Sequence, residues 1–283
     1  MKALKSIIFF AFLLLGTYGY SQVDMISAED FKTVMKENAD LVIIDGSKSK
    51  LFKTSHLKGS LNLNHNDLYR DGDVKGVIKS PEELAEIFGG LGVGDNRMVV
   101  ITDDGSQKYS SRIYWVLKYL GYENMKVLHK DKNAWKKVRL ELTRKSSTPN
   151  PTTFTVNLNP EIFASIDEVK KVKNDNKVVL IDVRTPEEFS GSASNSKGHI
   201  PGAININYED LLTENGAFKT ADELQMIAAK NGLTPDKELI FYCRTSVRAG
   251  VSFFAFTNIL NYPNVKVYDG AYLEWSSVKD VVQ

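Results

Sequence analysis

One cysteine occurs in 283 residues, and its neighbours suit nucleophilic chemistry. Cys243 follows the apolar run Leu239-Ile240-Phe241-Tyr242 and precedes Arg244-Thr245-Ser246-Val247-Arg248, after which a helix-period segment begins. A strand, a short polar loop and a helix put the thiol at the carboxyl end of a strand, where open α/β sheets meet their ligands. Backbone N–H groups of the loop can converge on the sulfur, and the helix start near Val247 adds the positive end of its dipole. Arg244 and Arg248 add two cations. All of these favour the thiolate, the nucleophilic form. The competing reading is a buried structural cysteine packed as a small hydrophobe. Two flanking arginines argue against it, because they would be costly in an apolar core.

The elements that must position this loop are short apolar runs alternating with helix-period segments, the pattern of a parallel sheet covered by helices on both faces. Strands are expected at Leu41–Ile44, Met98–Ile101, Val178–Ile181, Leu239–Tyr242 and Val265–Tyr268, and helices at Ala28–Glu37, Pro81–Gly89, Ser110–Leu120, Ile166–Lys173, Ala221–Asn231 and Val247–Leu260. The plan is used twice. Leu41-Val42-Ile43-Ile44-Asp45 pairs with Val179-Leu180-Ile181-Asp182, and His56-Leu57-Lys58-Gly59-Ser60 with His199-Ile200-Pro201-Gly202-Ala203. Asp103, Val127 and Trp135 correspond to Cys243, Val267 and Trp275 at one shared offset of 140 residues. Order and spacing are kept, which points to duplication. The fold class expected is therefore α/β, two tandem domains spanning 23–142 and 161–283, joined by a Ser/Thr/Pro-rich linker over 143–160.

Composition narrows the function. With 42% hydrophobic and 25% charged residues, 19 Gly and 8 Pro, the chain is an ordinary globular protein. Its 36 basic residues nearly balance 35 acidic ones, so no bulk field favours nucleic acid or an anionic membrane. A single Cys excludes an intramolecular disulfide and any multi-cysteine metal site. The four histidines show no ligand spacing and no Gly-rich phosphate loop is present, so no metal or other cofactor is inferred. At the start of the chain, Lys2 and Lys5 precede the apolar run Ile7–Leu15, and small residues follow at Gly19 and Ser21. This reads as an export signal over 1–21, cleaved after Ser21, with an uncleaved anchor as the alternative. Nine apolar residues are too few for a span that takes about 20 in a helix. Export to the periplasm or outside the cell, with no stable membrane association after cleavage, is the expectation.

Cys243-Arg244-Thr245-Ser246-Val247-Arg248 resembles the active-site loop of rhodanese-type sulfurtransferases. Asp182-Val183-Arg184-Thr185-Pro186-Glu187-Glu188-Phe189, Gly198-His199-Ile200-Pro201-Gly202-Ala203 and Asp269-Gly270-Ala271-Tyr272-Leu273-Glu274-Trp275 resemble that family's other signatures, in the family's order. The first half matches more weakly, through Asp45, His56–Ser60 and Trp135. The two-domain plan is similar to thiosulfate and 3-mercaptopyruvate sulfurtransferases, in which only the second copy carries the catalytic Cys. The resemblance implies two rhodanese-like domains and a ping-pong transfer of sulfane sulfur from a small anionic donor, through a Cys243 persulfide, to cyanide or a thiol. Cys243 is then the nucleophile, and the backbone of Arg244, Thr245, Ser246, Val247 and Arg248 the anion cradle. Arg248 orients the donor, and Ser246 either hydrogen-bonds the persulfide or caps the next helix.

Supporting roles follow for other residues. Asp182 and Arg184 are expected to pair and fix a loop, His199 to hydrogen-bond within a turn, and Trp135 and Trp275 to fill cores. Arg97, Lys108 and Arg112 could line a cleft between the halves, though solvated surface charge is the plainer reading. Glu188 stands where several two-domain relatives carry an Arg that holds the donor. A carboxylate there would repel an anion unless Arg184 or Arg248 compensates. The Cys243-Arg244 start of the loop leans towards thiosulfate. Two other functions stay open. A phosphatase or arsenate reductase of this fold needs a loop with five residues between Cys and Arg, and this one has four. A non-catalytic sulfur carrier or binding module is the other.

Overall fold

The computed structural model describes residues 24–283 apart from 95, 131, 173 and 174; the expected export signal lies outside the described residues. In the first half the order is β1 (Met25–Ile26), α1 (Ala28–Glu37), β2 (Val42–Asp45), α2 (Ser49–Phe52), β3 (His56–Leu57), β4 (Leu61–Asn62), α3 (Pro81–Gly90), β5 (Val99–Thr102), α4 (Lys108–Tyr119), β6 (Met125–Leu128), α5 (Lys132–Val138) and β7 (Leu142–Thr143). The second half runs β8 (Phe163–Ala164), α6 (Ile166–Lys171), β9 (Val178–Asp182), α7 (Pro186–Ser190), β10 (Ile204–Asn205), α8 (Ala221–Lys230), β11 (Glu238–Tyr242), α9 (Ala249–Phe254), β12 (Val265–Tyr268) and α10 (Ala271–Val278).

Each half builds a five-stranded parallel sheet, ordered β1-β6-β5-β2-β4 and β8-β12-β11-β9-β10. The α/β fold with two parallel sheets flanked by helices is as expected. The four short edge strands β1, β4, β8 and β10 contain two residues each, too few to show a periodic signal in sequence. The central strands are continuous runs of buried β-branched and aromatic residues because both sheet faces are covered. On the outer face of the first sheet, Ile43 and Val100 pack with Phe31 of α1; Leu180, Ile240 and Trp275 do the same in the second. The inner faces share one core, which runs from Ile44 and Ile101 through Trp115 to Phe254 and Phe241.

Helices α4 and α9 make that shared core possible. Gly250 lies against the α4 backbone, where a Cβ would come within 2.9 Å of the Arg112 nitrogen. Tyr114 meets Phe254 edge to face, with ring centres 5.0 Å apart. The segment expected as a linker is laid on the first half: Thr152 and Asn157 donate to Gly89 and Leu120 carbonyls, and Phe154 packs between Phe88 and Tyr122. At Gly121, whose φ is +83°, a Cβ would sit 1.9 Å from the Asn157 carbonyl oxygen, so only glycine admits the crossing. Among the described residues no helix is long and apolar enough to cross a membrane.

Candidate active site

Strand register fixes which residues correspond. Asp45 on β2 faces Thr102, and Asp182 on β9 faces Tyr242, so Asp103 and Cys243 each stand one residue past the middle of their sheets. The first-half loop shows what this position is built to hold. The Asp103 carboxylate accepts backbone N–H groups of Gly105 (2.7 Å), Gln107 (3.3 Å), Tyr109 (3.0 Å) and Ser110 (3.2 Å), and the Ser110 hydroxyl at 3.2 Å. Burial and the nearby Asp104 push the Asp103 carboxyl up, against those amide bonds. The second-half loop takes a different path: its left-handed residue is Ser246 (φ +57°), three after Cys243, whereas Gly105 (φ +88°) and Gln107 (φ +60°) stand two and four after Asp103. Among the described residues the amides of Arg244 to Val247 make no hydrogen bond to the protein. The Asp103 carboxylate thus occupies amides of its own loop, whereas the amides that follow Cys243 are left without a protein acceptor.

Several loop residues differ from expectation. Helix α9 starts at Ala249, so Val247 and Arg248 belong to the loop, and the helix continues through a π-helical turn over Ala255–Ile259. Ser246 does not cap this helix; its hydroxyl donates to the Tyr268 carbonyl and is fully buried. That bond offsets the strain of a left-handed non-glycine residue. Tyr272 and Leu273 donate their amides to the carbonyls of Cys243 (3.0 Å) and Arg244 (3.3 Å), so the terminal Asp269–Trp275 motif holds the loop by its backbone. Arg244 reaches out to the Asn195 carbonyl at 2.6 Å.

Arg248 and Glu188 form a two-pronged ion pair at 2.6 and 3.0 Å. Glu188 also completes the capping box of α7 with Thr185. Burial works against the Arg248 charge, but the adjoining Cys243 and Glu188 raise it above its ordinary value. Burial likewise opposes the Glu188 charge, and Arg248 overcomes it to hold the carboxyl below its usual range. The carboxylate at this unexpected position is therefore compensated. The cost is that Arg248 is no longer a free cation.

Asp182 and Arg184 are both fully buried and paired, as expected, with Nη2 to Oδ2 at 2.6 Å. Arg184 also donates to Ser196 and the Gly198 carbonyl and lies 4.0 Å from the Tyr272 ring centre. This pair sits beneath the loop and braces the segment around residue 198. His199 stacks on Phe189 at 3.7 Å with Nδ1 3.0 Å from the Phe189 carbonyl; His56 does the same with Phe52 at 3.6 and 2.7 Å. His56 lies in β3, and His199, expected in a turn, bridges Val282 through its backbone. Trp275 is buried in its core and Trp135 packs at the edge of the other.

The structure closes the site in a way the sequence did not reveal. Cys243 is 1% exposed and lies in the shared core, the burial that the competing reading of this cysteine describes. The cover is a hairpin of the other half. Tyr69 and Ile78 bridge its base, and Gly76 near its tip rests on Thr245, where a Cβ would lie 2.6 Å from the Thr245 Cβ. The counterpart hairpin, bridged by Leu212 and Phe218, places Gly216 on Gly105, with the Gly105 oxygen 2.9 Å from a built Cβ. Each half thus straps the other's loop, two residues past Asp103 or Cys243. Arg112, expected on the surface, is fully buried beneath this strap, donating to Asp269 at 2.5 Å and to the Gly76 carbonyl at 3.2 Å. Asp269 also accepts the Ile78 amide at 3.0 Å. Replacing Gly76 with Val should displace the strap, because φ is +90° there and the added carbons overlap Thr245. Faster alkylation of Cys243 together with about tenfold slower turnover is the expected result. Unchanged rates in both assays would mean the strap has no part in the site.

Known proteins agree with this architecture. A Rhodanese-like domain model matches residues 27–138 and again 165–278. A protein of Haloferax volcanii described as a putative thiosulfate sulfurtransferase is 31% identical over 250 residues, covering 81% of this chain and 83% of the relative. The 3-mercaptopyruvate sulfurtransferase of Escherichia coli is 30% identical, covering 72% and 74%. The sulfur carrier protein TtuD of Thermus thermophilus is 27% identical, covering 93% and 97%. The anaerobic ergothioneine biosynthesis enzyme of Chlorobium limicola shares the fold with a TM-score of 0.82 at 22% identity, covering 90% of this chain and 68% of that one. Two matched domains across most of the chain, together with these relatives, establish that the protein belongs to the rhodanese family of sulfurtransferases.

Proposed function

We propose that this protein moves a sulfane sulfur from thiosulfate or 3-mercaptopyruvate through a persulfide on Cys243 to cyanide or a thiol. The observation that carries this reading is the pair of loops. One half uses its cradle of amides on the Asp103 carboxylate, and a persulfide on Cys243 would present an anion to the loop amides of Arg244 to Arg248, of which Thr245 and Val247 stand where Gly105 and Gln107 do in the first half. Preorganised donors aimed at a developing charge are the main electrostatic lever of enzymes.

With thiosulfate, the Cys243 thiolate attacks the outer sulfur, the S–S bond of the donor breaks, and sulfite leaves with the bonding electron pair. Cyanide then attacks the outer sulfur of the persulfide, producing thiocyanate and returning the thiolate. No net redox step is needed. Arg248 is the cation beside the sulfur, Glu188 holds its guanidinium in place, and the Asp182–Arg184 pair and His199 support the surrounding turns. The Cys243-Arg244 start makes thiosulfate the first donor to try.

Exposure of the purified protein to thiosulfate should add one sulfur atom to its intact mass, removable by a reductant and by cyanide. No mass change with either donor, together with hydrolysis of a phenyl phosphate, would instead point to phosphatase chemistry. A second reading is a sulfur carrier that hands its persulfide to a protein partner. The similarity to TtuD and the closed thiol support it. Persulfide that forms but resists cyanide and small thiols would favour the carrier. Export remains part of the proposal, resting on Lys2, Lys5 and the apolar run Ile7–Leu15.

A further inference from the structure

The first half has no counterpart of the Arg184 side chain, and matching hydrogen bonds show which residue replaces it. Asn62 on β4 donates its side-chain amide to the carbonyls of Asp45 (3.0 Å) and Ser47 (2.8 Å), as Asn205 on β10 does to those of Asp182 and Arg184, both at 2.9 Å. The Asp45 carboxylate accepts the Ser47 amide at 2.9 Å, and Asp182 the Arg184 amide at 3.0 Å. Ser47 therefore stands where Arg184 does. In the second half the guanidinium gives Nε and Nη2 to both Asp182 oxygens and Nη2 also to the Gly198 carbonyl. A serine is too short to fill that space.

What is left is a cavity of about 290 Å³ bordered by Asp45, Ser47 and Ser55, the counterparts of Asp182, Arg184 and Gly198. Asp45 is 5% exposed, and among the described residues its carboxylate takes the Ser47 amide on Oδ1 and no ion pair. A carboxylate this buried is normally matched by a cation. The other charged groups of the cavity are engaged locally: Asp103 holds its loop amides, Asp104 accepts the Ser106 amide at 3.0 Å, and Lys130 donates to the Gly105 carbonyl. Three carboxylates thus face one ammonium, a balance that favours a cationic guest. Among the described residues no cluster of three metal-ligating side chains forms, so the cation that fits is organic. Leu51 and Leu142 border the same cavity at 48% and 58% exposure, together with Trp135. A guest with a hydrocarbon stem would cover them.

We propose that the first half binds a small alkylguanidinium compound in this cavity, its head paired with Asp45 as Arg184 is paired with Asp182 and its stem against Leu51, Trp135 and Leu142. A planar fork suits the carboxylate better than an ammonium does, because the second half meets the same oxygens with two guanidinium nitrogens. The site is separate from Cys243, and its test does not depend on sulfur transfer.

Agmatine, a guanidinium on a four-carbon stem, is the probe, titrated into the whole protein by calorimetry. One saturable event with a Kd of about 1 mM or tighter is expected. N-butylurea, of similar shape but uncharged, should not bind. Asp45→Asn keeps an acceptor for the Ser47 amide and so should fold normally, while weakening agmatine at least about tenfold. Ser47→Arg supplies the missing guanidinium from the chain itself, and it should remove binding with the unfolding midpoint at or above that of the unaltered protein. No saturable binding of agmatine up to about 10 mM, equal binding of N-butylurea, or unchanged affinity in Asp45→Asn would each overturn the proposal.

Discussion

Cys243→Ala should lose sulfur transfer altogether, with turnover falling by more than about a thousandfold and no added sulfur in the intact mass. No other thiol exists in the chain to take over, because Cys243 is the single cysteine. The structural cost of the change is small. The side chain is buried in the shared core, and removing one sulfur atom there costs on the order of 1 kcal/mol. Folding and activity therefore separate cleanly: an unfolding midpoint near that of the unaltered protein, alongside absent turnover, is the expected pair of measurements. Retained turnover in Cys243→Ala would refute covalent catalysis by this residue.

Arg184→Ala should have the largest effect on stability. Both partners of the Arg184–Asp182 pair are 0% exposed, and Arg184 makes further bonds to Ser196 and Gly198. Removing the guanidinium leaves the Asp182 carboxylate buried without its counter-charge, which costs about 3–5 kcal/mol. That is a large share of the ~5–15 kcal/mol that holds a typical domain together. Burial disfavours the Arg184 charge, and Asp182 more than offsets this, raising it above its ordinary value. Arg184→Lys should recover only part of the loss, because an ammonium cannot reproduce the planar fork that spans Asp182 and the Gly198 carbonyl. Denaturant titration of both variants checks this. A loss under about 1 kcal/mol for Arg184→Ala would mean that water reaches the pair.

These two residues also mark what is legible in a sequence. Cys243 could be found because a strand, a polar loop and two arginines are adjacent in the chain, and Asp182 and Arg184 because they stand two residues apart. The repeat was legible for the same reason: Asp103 and Cys243 sit at one offset, and strand register aligns them. Helix limits were less so. The expected helix from Val247 starts at Ala249, because Ser246 takes a left-handed φ and holds the loop open for two more residues. Nothing local announces that choice, since the bond that stabilises it comes from Tyr268 on another strand.

Charge was the least legible property. Arg248 and Glu188 are 60 residues apart in the chain, and Arg112 and Asp269 are 157 apart. A count of cations near Cys243 suggests an electropositive pocket, yet Arg112, Arg184 and Arg248 each have a carboxylate partner and Arg244 turns to the Asn195 carbonyl. Hydrophobic periodicity and turn chemistry act over a few residues, so the chain itself determined the α/β plan, the duplication and the candidate nucleophile. The Arg248–Glu188 pair joins distant segments of one half, and the Arg112–Asp269 pair and the closure join groups that only the packing of the two halves brings together. Tertiary structure alone therefore decided that each half straps the other's loop, that Cys243 is closed from solvent, and that Arg112 is buried beneath the strap against Asp269.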